Sequence, residues 1–325
     1  MFRTIISATL LTFALVGQAQ AQASFDNYPS KPIRMIVPFP PAGGTDIMAR
    51  LVTNKLTEQF KWNFVIENKP GAGGTIGITE AVKAAPSGYE MVMGQKDNLV
   101  IGPWLYKNLP WDPTRDLVPV AHVAYTPVLI ATSVDSKFKS LKDVVDAARK
   151  APGTINYGSP GFGTSIHLAA ELFAKAAGIE IMHVAYKGSS PALLDAISGN
   201  VELLVSSVPS AIGQIKGGKL RPLAVTSAKR ISLLPDVPAV AEFGYKDFDV
   251  TTWYGLLVPV GTPANVVTLF NTEINKLLAN PEMQAAIKAQ GAEPLAMSSE
   301  QFGKLIKTEY VQWKDIVAAS GAKIE

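Results

Sequence analysis

The chain contains no cysteine among its 325 residues. Disulfide bonds and thiolate metal sites are therefore excluded, and the fold must be stabilised by its core alone. Histidine is nearly as scarce, because the chain has only three, His122, His167 and His183. They lie on different predicted elements and lack the H-E-x-x-H spacing of a zinc site. The sequence predicts no metal site.

The sequence also lacks a large excess of positive or negative residues. The chain has 30 Lys and Arg against 27 Asp and Glu, a formal net charge of +3, and the two signs are interspersed. A nucleic-acid-binding surface normally carries a clustered basic excess. The composition therefore predicts no nucleic-acid partner.

Three motifs of enzyme chemistry are missing as well. There is no G-x-x-x-x-G-K-[ST] phosphate loop, and the pair Gly71-x-Gly73 is followed by Gly77, which breaks the G-x-G-x-x-G dinucleotide fingerprint. No G-x-S-x-G nucleophile elbow occurs either, because no glycine stands two residues before Ser159. The sequence therefore predicts no cofactor and no enzyme.

The first 23 residues have the pattern of a cleaved secretory signal. Arg3 gives a basic start, residues 5–16 form an apolar run too short to span a bilayer comfortably, and Ala19-Gln-Ala21 or Ala21-Gln-Ala23 provides a small-x-small cleavage site. No second apolar run of spanning length follows. We therefore expect an exported protein in the periplasm.

Strand and helix patterns alternate through the rest of the chain. A predicted strand at 33–39 leads to a helix at 47–60, and this unit is repeated at 64–67 and 76–85. Later, strands at 118–124 and 128–132 flank Pro127 and a helix is predicted at 141–150. Further strand–helix pairs continue to residue 226. Alternation of this kind predicts an α/β fold with a parallel sheet and helices on both faces.

The C-terminal segment differs, because three predicted helices at 265–279, 281–290 and 299–320 have little sheet of their own. The simplest arrangement packs them on the first sheet. This divides the mature chain into a discontinuous lobe 1, residues 24–123 plus 251–325, and an inserted lobe 2, residues 124–250. The hinge would then lie near Tyr125 and at 250–253.

Two glycine-rich loops have the same design. The first glycine loop (residues 37–46) and the second glycine loop (residues 156–165) each follow a strand and open a helix. A helix that starts in this way leaves backbone N–H groups unpaired at the positive end of its dipole, which favours a bound anion. The two loops predict two anion sites, or the two jaws of one site.

Two side chains beside these loops have open interpretations. His167 lies in the first turn after the second glycine loop, four residues before Glu171, where it would either contact a bound anion or simply pack at the lobe surface. Asp46 would repel a carboxylate, so it would contact a ligand amine, a hydroxyl or a water. Either Thr45 or Asp46 is instead well placed to cap the helix.

Several long motifs resemble the Bug, or TctC-like, family over essentially the whole mature chain. They are Val37-Pro-Phe-Pro-Pro-Ala-Gly-Gly-Thr-Asp46, Glu67-Asn-Lys-Pro-Gly-Ala-Gly-Gly74, Gly161-Phe-Gly-Thr-Ser-Ile-His-Leu-Ala-Ala-Glu-Leu-Phe173, Leu223-Ala-Val-Thr-Ser-Ala-Lys-Arg230 and Leu234-Pro-Asp-Val-Pro238. Members are extracytoplasmic solute-binding receptors of tripartite tricarboxylate transporters.

The resemblance implies a two-lobed periplasmic-binding-protein fold, type II-like, that closes on a small organic acid and delivers it to membrane permease subunits. It also implies a monomer without a cofactor. Carboxylates in this family are held largely by backbone amides and waters. The positions nominated for ligand binding are Ala42, Gly43, Gly44, Thr45 and Asp46 on one jaw, and Ser159, Gly161, Phe162, Gly163, Thr164 and His167 on the other.

Three departures from the family pattern affect the ligand. Ala42 replaces a glycine, Lys96-Asp97-Asn98 replaces a small polar segment, and Ser206-Ser207 replaces an acidic or amide pair. We include these positions among the candidate ligand contacts. Lys96 would either pair with a distal carboxylate in the cleft or be a solvated loop lysine.

Three other classes of protein are alternatives to a transport receptor: a ligand sensor, a secreted enzyme and a ligand-binding regulator. A ligand sensor that feeds a two-component kinase fits the same sequence features, whereas a secreted α/β enzyme would need a nucleophile and a base that we do not find. A co-inducer-binding regulator would need a DNA-binding segment in place of the signal peptide. The ligand itself stays open among aliphatic diacids, citrate, aromatic acids or diacids, nicotinate-like compounds and amino acids.

Overall fold

The computed structural model describes residues 28–106 and 108–320. The predicted signal peptide, residues 1–23, lies outside the described residues. Within them, no helix is long and apolar enough to cross a membrane.

The elements of the first part of the chain alternate strand and helix, as predicted. They are β1 (Ile33–Val37), α1 (Gly44–Phe60), β2 (Phe64–Asn68), α2 (Thr75–Val82) and β3 (Glu90–Gln95), then a π-helical turn (Asp97–Ile101), α3 (Gly102–Leu105) and β4 (Leu117–Ser133).

The middle part continues with α4 (Leu141–Lys150), β5 (Asn156–Ser159), α5 (Ser165–Ala177), β6 (Met182–Ala185), α6 (Ser189–Ser198), β7 (Leu203–Ser207), α7 (Val208–Lys216) and β8 (Leu220–Val225). The last part contains β9 (Thr251–Pro259), α8 (Ala264–Ala279), α9 (Pro281–Ala289), β10 (Glu293–Pro294) and α10 (Ser299–Ser320).

The strands form two sheets that share one long strand. In the first sheet the order is β2-β1-β3-β9-β4, with β10 on the far side of β4. In the second sheet the order is β8-β4-β7-β5-β6. Strand β4 pairs with β9 up to Pro127 and with β7 and β8 from Val128 onward, so the chain passes between the sheets within a single strand.

The prediction of two strands flanking Pro127 is therefore wrong. Proline has no N–H, but its fixed φ angle is compatible with an extended strand. Pro127 pairs with Thr251 at the last position of the β4–β9 ladder, just before β4 joins the second sheet. Pro127, which lacks a backbone N–H, therefore lies at the point where β4 changes its pairing partner from β9 to β7 and β8. The strand can continue through it without interruption.

The prediction of a parallel sheet is correct only in part. Strands β1, β2 and β3 are parallel, as are β5, β6 and β7, but every pairing of β4 and the β3–β9 pairing are antiparallel. A short buried strand has the same apolar pattern in either direction, so the sequence does not specify direction. The sheets are mixed.

The C-terminal helices cover both faces of the first sheet. Val266, Phe270 and Ile274 of α8 belong to the same core as β1 and the first half of β4. On the other face, Phe302 of α10 lies directly on Gly255 of β9, where a Cβ would come within 2.2 Å of the phenyl ring. This packing agrees with the expected position of the three helices.

Candidate ligand-binding site

The first glycine loop connects β1 to α1, whose first helical residue is Gly44. Gly43 is the N-cap and makes no side-chain capping bond, so the prediction that Thr45 or Asp46 caps this helix is wrong. Both residues lie inside the first turn. In the described part of the chain, no acceptor pairs with the backbone amides of Gly44 and Thr45. These two donors remain available to a ligand.

Asp46 stabilises the loop from within. Its Oδ2 accepts hydrogen bonds from the amide of Ala42 at 3.0 Å and from Nε of Arg50 at 2.9 Å, and its Oδ1 accepts one from Asn68 at 3.0 Å. Burial alone would raise the pKa of this carboxyl, but these hydrogen bonds outweigh burial and the pKa is lowered. Ala42 has a left-handed φ of 62°, so Asp46 stabilises a strained backbone.

The second glycine loop leads into α5, where Thr164 is the N-cap. Its Oγ1 accepts a hydrogen bond from the amide of His167 at 3.1 Å and donates one to the carbonyl of Gly161 at 2.9 Å. The next amide, that of Ser165, donates to Oδ1 of Asp97 at 2.8 Å. A carboxylate of the protein itself therefore occupies the start of this helix.

Asp97 is almost completely buried, which raises its pKa to about 6, against the lowering effect of its hydrogen bonds from Ser165 and Gln95. Gln95 links this carboxylate to the first loop, because its amide group donates to Asp97 and its Oε1 accepts a hydrogen bond from the Thr45 hydroxyl. The two glycine loops are thus joined by one buried polar chain.

His167 lies behind the second loop. Its Nδ1 accepts a hydrogen bond from the amide of Gly163 at 3.3 Å, and its ring stacks on His183 with 4.2 Å between centroids. Burial lowers the pKa of His167 to about 3, so the ring is neutral. Ser159 is placed similarly, with its Oγ 2.6 Å from Nε2 of His183. Both residues hold the loop rather than line its open side.

Neither prediction for Lys96, a cleft residue that pairs with a ligand carboxylate or a solvated loop lysine, is correct. Its Nζ lies 2.9 Å from Oε1 of Glu309 in α10, and only 6% of its side chain is exposed. It also lies over the ring of Trp313, 5.5 Å from the centroid. It is neither a cleft residue nor a solvated loop lysine.

Asn98 and Ser206 are fully buried. Oδ1 of Asn98 accepts a hydrogen bond from the amide of Gln95 at 3.1 Å, whereas its Nδ2 has no partner among the described residues. Ser206 lies in β7 opposite Leu129, and its Oγ has no partner within the described chain either.

A small inner cavity lies between the two halves of the molecule. Its volume is about 20 Å³, enough for about one water molecule. Four helices begin at its wall: α1 at Gly44, α5 with Ile166 in its first turn, α6 at Ser189 and α7 at its N-cap Ser207. Each contributes the positive end of a helix dipole.

Three side chains of β3 and β9 complete this wall, namely Gln95, Thr252 and Tyr254. Thr252 is only 1% exposed, and its Oγ1 has no partner among the described residues. Gly44 is packed tightly here, because a Cβ at this position would lie 2.2 Å from the Tyr254 hydroxyl oxygen and 3.0 Å from Oγ of Ser207. Only glycine fits without displacing them.

A larger mouth cavity of about 510 Å³ opens outside the inner one. The two cavities share Phe39, Pro40, Pro160 and Gly188 as wall residues. The rest of the mouth wall is Pro70, Gly71, Ala72, Gly73, Gly74, Tyr106, Gly161, Phe162, Ala185, Tyr186 and Lys187.

The two halves touch at the shared wall. A Cβ on Gly188 would come within 2.6 Å of Cγ of Pro40, and Oγ of Ser190 lies 3.5 Å from the carbonyl oxygen of Pro41. With the Asp97–Ser165 bond, these contacts join the two halves beside the inner cavity.

The family model for the tripartite tricarboxylate transporter family receptor matches residues 48–322. The chain belongs to this family. It is 34% identical over 326 residues to BugT of Bordetella pertussis, and the match spans the whole of both chains.

Two solved structures support the same assignment. Periplasmic binding protein BugD is 33% identical with a TM-score of 0.86, over 92% of this chain and 100% of that one. Rpa4515 of R. palustris, solved with adipate, is 32% identical with a TM-score of 0.89, over 91% of this chain and 100% of that one. This TctC-family receptor is therefore a solute-binding protein of the periplasmic-binding-protein fold, not an enzyme.

The predicted contacts of this receptor fall into three groups. Gly43, Gly44, Thr45, Asp97 and Ser207 line the inner cavity, and Gly161 and Phe162 line the mouth. Nine others line neither cavity within the described residues: Ala42, Asp46, Lys96, Asn98, Ser159, Gly163, Thr164, His167 and Ser206.

Sequence reasoning missed several wall residues, including Gln95, Thr252 and Tyr254 in the inner cavity and Tyr106 and Tyr186 in the mouth. The glycine-rich segment 71–74 belongs to one of the family motifs, but the predicted ligand contacts do not include it. Among the described residues, no group of His, Asp or Glu side chains is arranged to hold a metal ion.

Proposed function

We propose that this receptor captures a small organic acid between its two glycine loops by hinge closure and delivers it to the permease of a tripartite tricarboxylate transporter. The main support is the convergence of four helix N-termini on one buried polar cavity. Helix N-termini favour anions, and a carboxylate is the anion that most organic solutes carry.

The charge balance of the inner cavity also supports an anionic ligand. Asp97 already occupies the start of α5 through its bond from Ser165. The starts of α1, α6 and α7 then remain for a ligand carboxylate. The donors would be the amides of Gly44 and Thr45 and the hydroxyl of Thr252, none of which has a partner among residues 28–106 and 108–320. A hydrogen bond to a charged group contributes about 1.5–3 kcal/mol, so each such donor would tighten binding by roughly 10- to 150-fold.

The hinge follows from the connection of the sheets. We propose lobe 1 as residues 24–123 plus 251–325 and lobe 2 as residues 124–250. Strand β4 and the segment that leads into β9 are then the links between the lobes. A ligand that contacts both lobes binds the closed form more strongly than the open form, and so shifts the equilibrium toward closure. The closed receptor is the form that the permease would receive.

The adipate in the structure of Rpa4515 supports an organic acid as ligand here too. Delivery to a permease is supported by family membership. We also propose export to the periplasm with removal of the N-terminal signal, consistent with the periplasmic relatives.

Adjacent glycines of the first loop provide a matched pair of variants for the test. Gly44→Ala would place a methyl group in the inner cavity, against Tyr254 and Ser207, whereas a Cβ on Gly43 would approach only the carbonyl oxygen of Pro40, at 3.4 Å. We expect calorimetric titration of the purified protein with adipate, succinate, citrate and benzoate to give micromolar binding of at least one acid. Gly44→Ala should weaken that binding by about 100-fold or more, and Gly43→Ala by less than about threefold.

Two results would contradict the proposed function or the proposed site. If none of these acids binds or raises the melting temperature, the protein is not a receptor for this class of ligand. If both variants bind equally well, the inner cavity is not the site.

A further inference from the structure

We propose that the ligand is an aromatic carboxylic acid, whose carboxylate enters the inner cavity and whose ring occupies the mouth cavity. This inference rests on the proposed function and narrows its ligand class. It depends on the sizes of the two cavities, their shared wall and the aromatic rings around the mouth.

The size of the inner cavity limits what it can hold. With the halves in contact, the inner cavity is too small for a whole organic acid and leaves room only for a small terminal group such as a carboxylate. The mouth is about 510 Å³, within the range of ordinary ligand pockets, and begins at the same four residues. A ligand held in the closed form would therefore have its body in the mouth.

Four aromatic rings line the mouth, and three of them rest on glycines. A Cβ on Gly73 would lie 3.1 Å from the Tyr106 hydroxyl, one on Gly74 would lie 3.0 Å from the Phe39 ring, and one on Gly158 would lie 3.1 Å from the Tyr186 ring. The absence of side chains at these glycines lets the rings lie against the backbone. Their positions are thus fixed before a ligand arrives.

Phe162 is the fourth ring and the most accessible one. It makes edge-to-face contacts with His167 and His183, at 5.0 and 4.6 Å between centroids, yet 45% of the residue is exposed. A large exposed apolar side chain that is held in place by its neighbours is suited to contact a ligand. An aromatic ring in the mouth would cover it.

The described side chains that line the mouth are mostly apolar, unlike those of the inner cavity. Among its described lining residues, Lys187 is the only charged side chain, and prolines, glycines and rings make up most of the remainder. A flexible diacid would leave its second carboxylate against this largely apolar wall. An aromatic ring would instead bury apolar surface there.

The test compares benzoate with adipate on three proteins: the unmodified protein, Phe162→Ala and Phe162→Leu. We expect benzoate to bind at least about tenfold more tightly than adipate. Phe162→Ala should weaken benzoate by about tenfold and adipate by less than about threefold, and Phe162→Leu should give an intermediate loss for benzoate. Leu194→Ala, at a 63% exposed residue of α6 outside both cavities, is the control and should leave both affinities unchanged.

Calorimetry gives the affinities, and a cooperative thermal transition for each variant shows that it is folded. Tighter binding of adipate than of benzoate, or equal losses of both ligands in Phe162→Ala, would overturn the aromatic assignment and leave the receptor function standing. Failure of all acids to bind would reject the receptor function itself, and this inference with it.

Discussion

Oδ1 of Asp97 accepts a 2.8 Å hydrogen bond from the backbone amide of Ser165, the first residue of α5. Asp97 follows β3 of the first sheet, and Ser165 follows β5 of the second sheet, so the bond joins the two halves. A buried carboxylate of the receptor thus satisfies one of the four helix starts at the inner cavity.

The first prediction concerns the pH dependence of Asp97. Burial raises its pKa from 3.8 to about 6, so the folded protein holds this proton more tightly than the unfolded chain does. Its contribution to stability is complete below about pH 4 and is lost as pH rises through 6. Asp97→Asn removes this titration. We expect the variant to gain about 2–2.5 kcal/mol in unfolding free energy, relative to the unmodified protein, as pH rises from 4 to 7.

Urea denaturation of both proteins at pH 4, 5, 6 and 7 measures this difference. The other titrating groups are common to the two proteins and cancel. A difference that is constant over the whole range would mean that Asp97 titrates normally and is not buried as a carboxylate.

A second prediction concerns acid destabilisation by His167. Burial lowers its pKa from 6.5 to about 3, so its contribution to stability is complete above pH 6.5 and is lost as pH falls toward 3. His167→Asn keeps an acceptor for the amide of Gly163 but does not titrate. As pH falls below 6.5, the unfolding free energy of the variant should therefore fall less steeply than that of the unmodified protein. The two slopes should differ by about 1.4 kcal/mol per pH unit.

The measurement is the unfolding free energy at pH 7.5, 6.0 and 5.0. We expect His167→Asn to be the less stable protein at pH 7.5, because it loses the stacking on His183. Parallel pH profiles for the two proteins would contradict a buried neutral histidine behind the second loop.

The sequence predicts helix boundaries well where residues next to the boundary determine them. Helix α4 has the predicted bounds, 141–150, because Ser140 and Asp143 form a capping box at its start, with each side chain bonded to the other residue's backbone amide. The C-terminal helix also begins at Ser299, as predicted, and continues to Ser320, the last described residue. In both, periodicity and terminal residues give the same answer.

The remaining features depend on contacts between distant parts of the chain. Lys96 looked like a loop residue, and only Glu309 and Trp313, from the last helix, explain its burial. Thr252 and Tyr254 lie in an apolar strand pattern, so nothing in the sequence separates a cavity wall from ordinary core there. Sequence could identify the loops that open the helices, but not the strands that face them.

A third prediction uses the buried ion pair of Lys96. Glu309→Gln can still accept the hydrogen bond that Trp253 donates to Glu309, but it leaves the Lys96 ammonium buried without its ion-pair partner. We expect a loss of about 3–5 kcal/mol in unfolding free energy. Adding Lys96→Met should recover most of it, because the remaining charge is removed.

Urea denaturation of the single and double variants gives these values, and titration with the best-bound acid provides the functional control. Affinity should be unchanged in the double variant, since Lys96 does not reach either cavity. A marked loss of affinity there would restore Lys96 as a ligand contact.

The last prediction separates blocking of the inner cavity from damage to the fold. Gly44→Ala places its methyl group within 2.2 Å of the hydroxyl of Tyr254, a fully buried ring that cannot turn away freely. We expect this overpacking to cost about 1–3 kcal/mol of stability in addition to ligand affinity. Tyr254→Phe removes the hydroxyl that the methyl group meets, so the double variant Gly44→Ala/Tyr254→Phe should regain stability.

The double variant should nevertheless fail to bind, because the methyl group still fills the space beside the amides of Gly44 and Thr45. Tyr254→Phe alone should keep binding, with at most the loss of one hydrogen bond, about 0.5–1.5 kcal/mol. Thermal unfolding and calorimetric titration of the three variants distinguish the two effects. If the double variant recovers both stability and affinity, the loss in Gly44→Ala came from the displaced tyrosine, and the amides at the start of α1 do not bind the ligand.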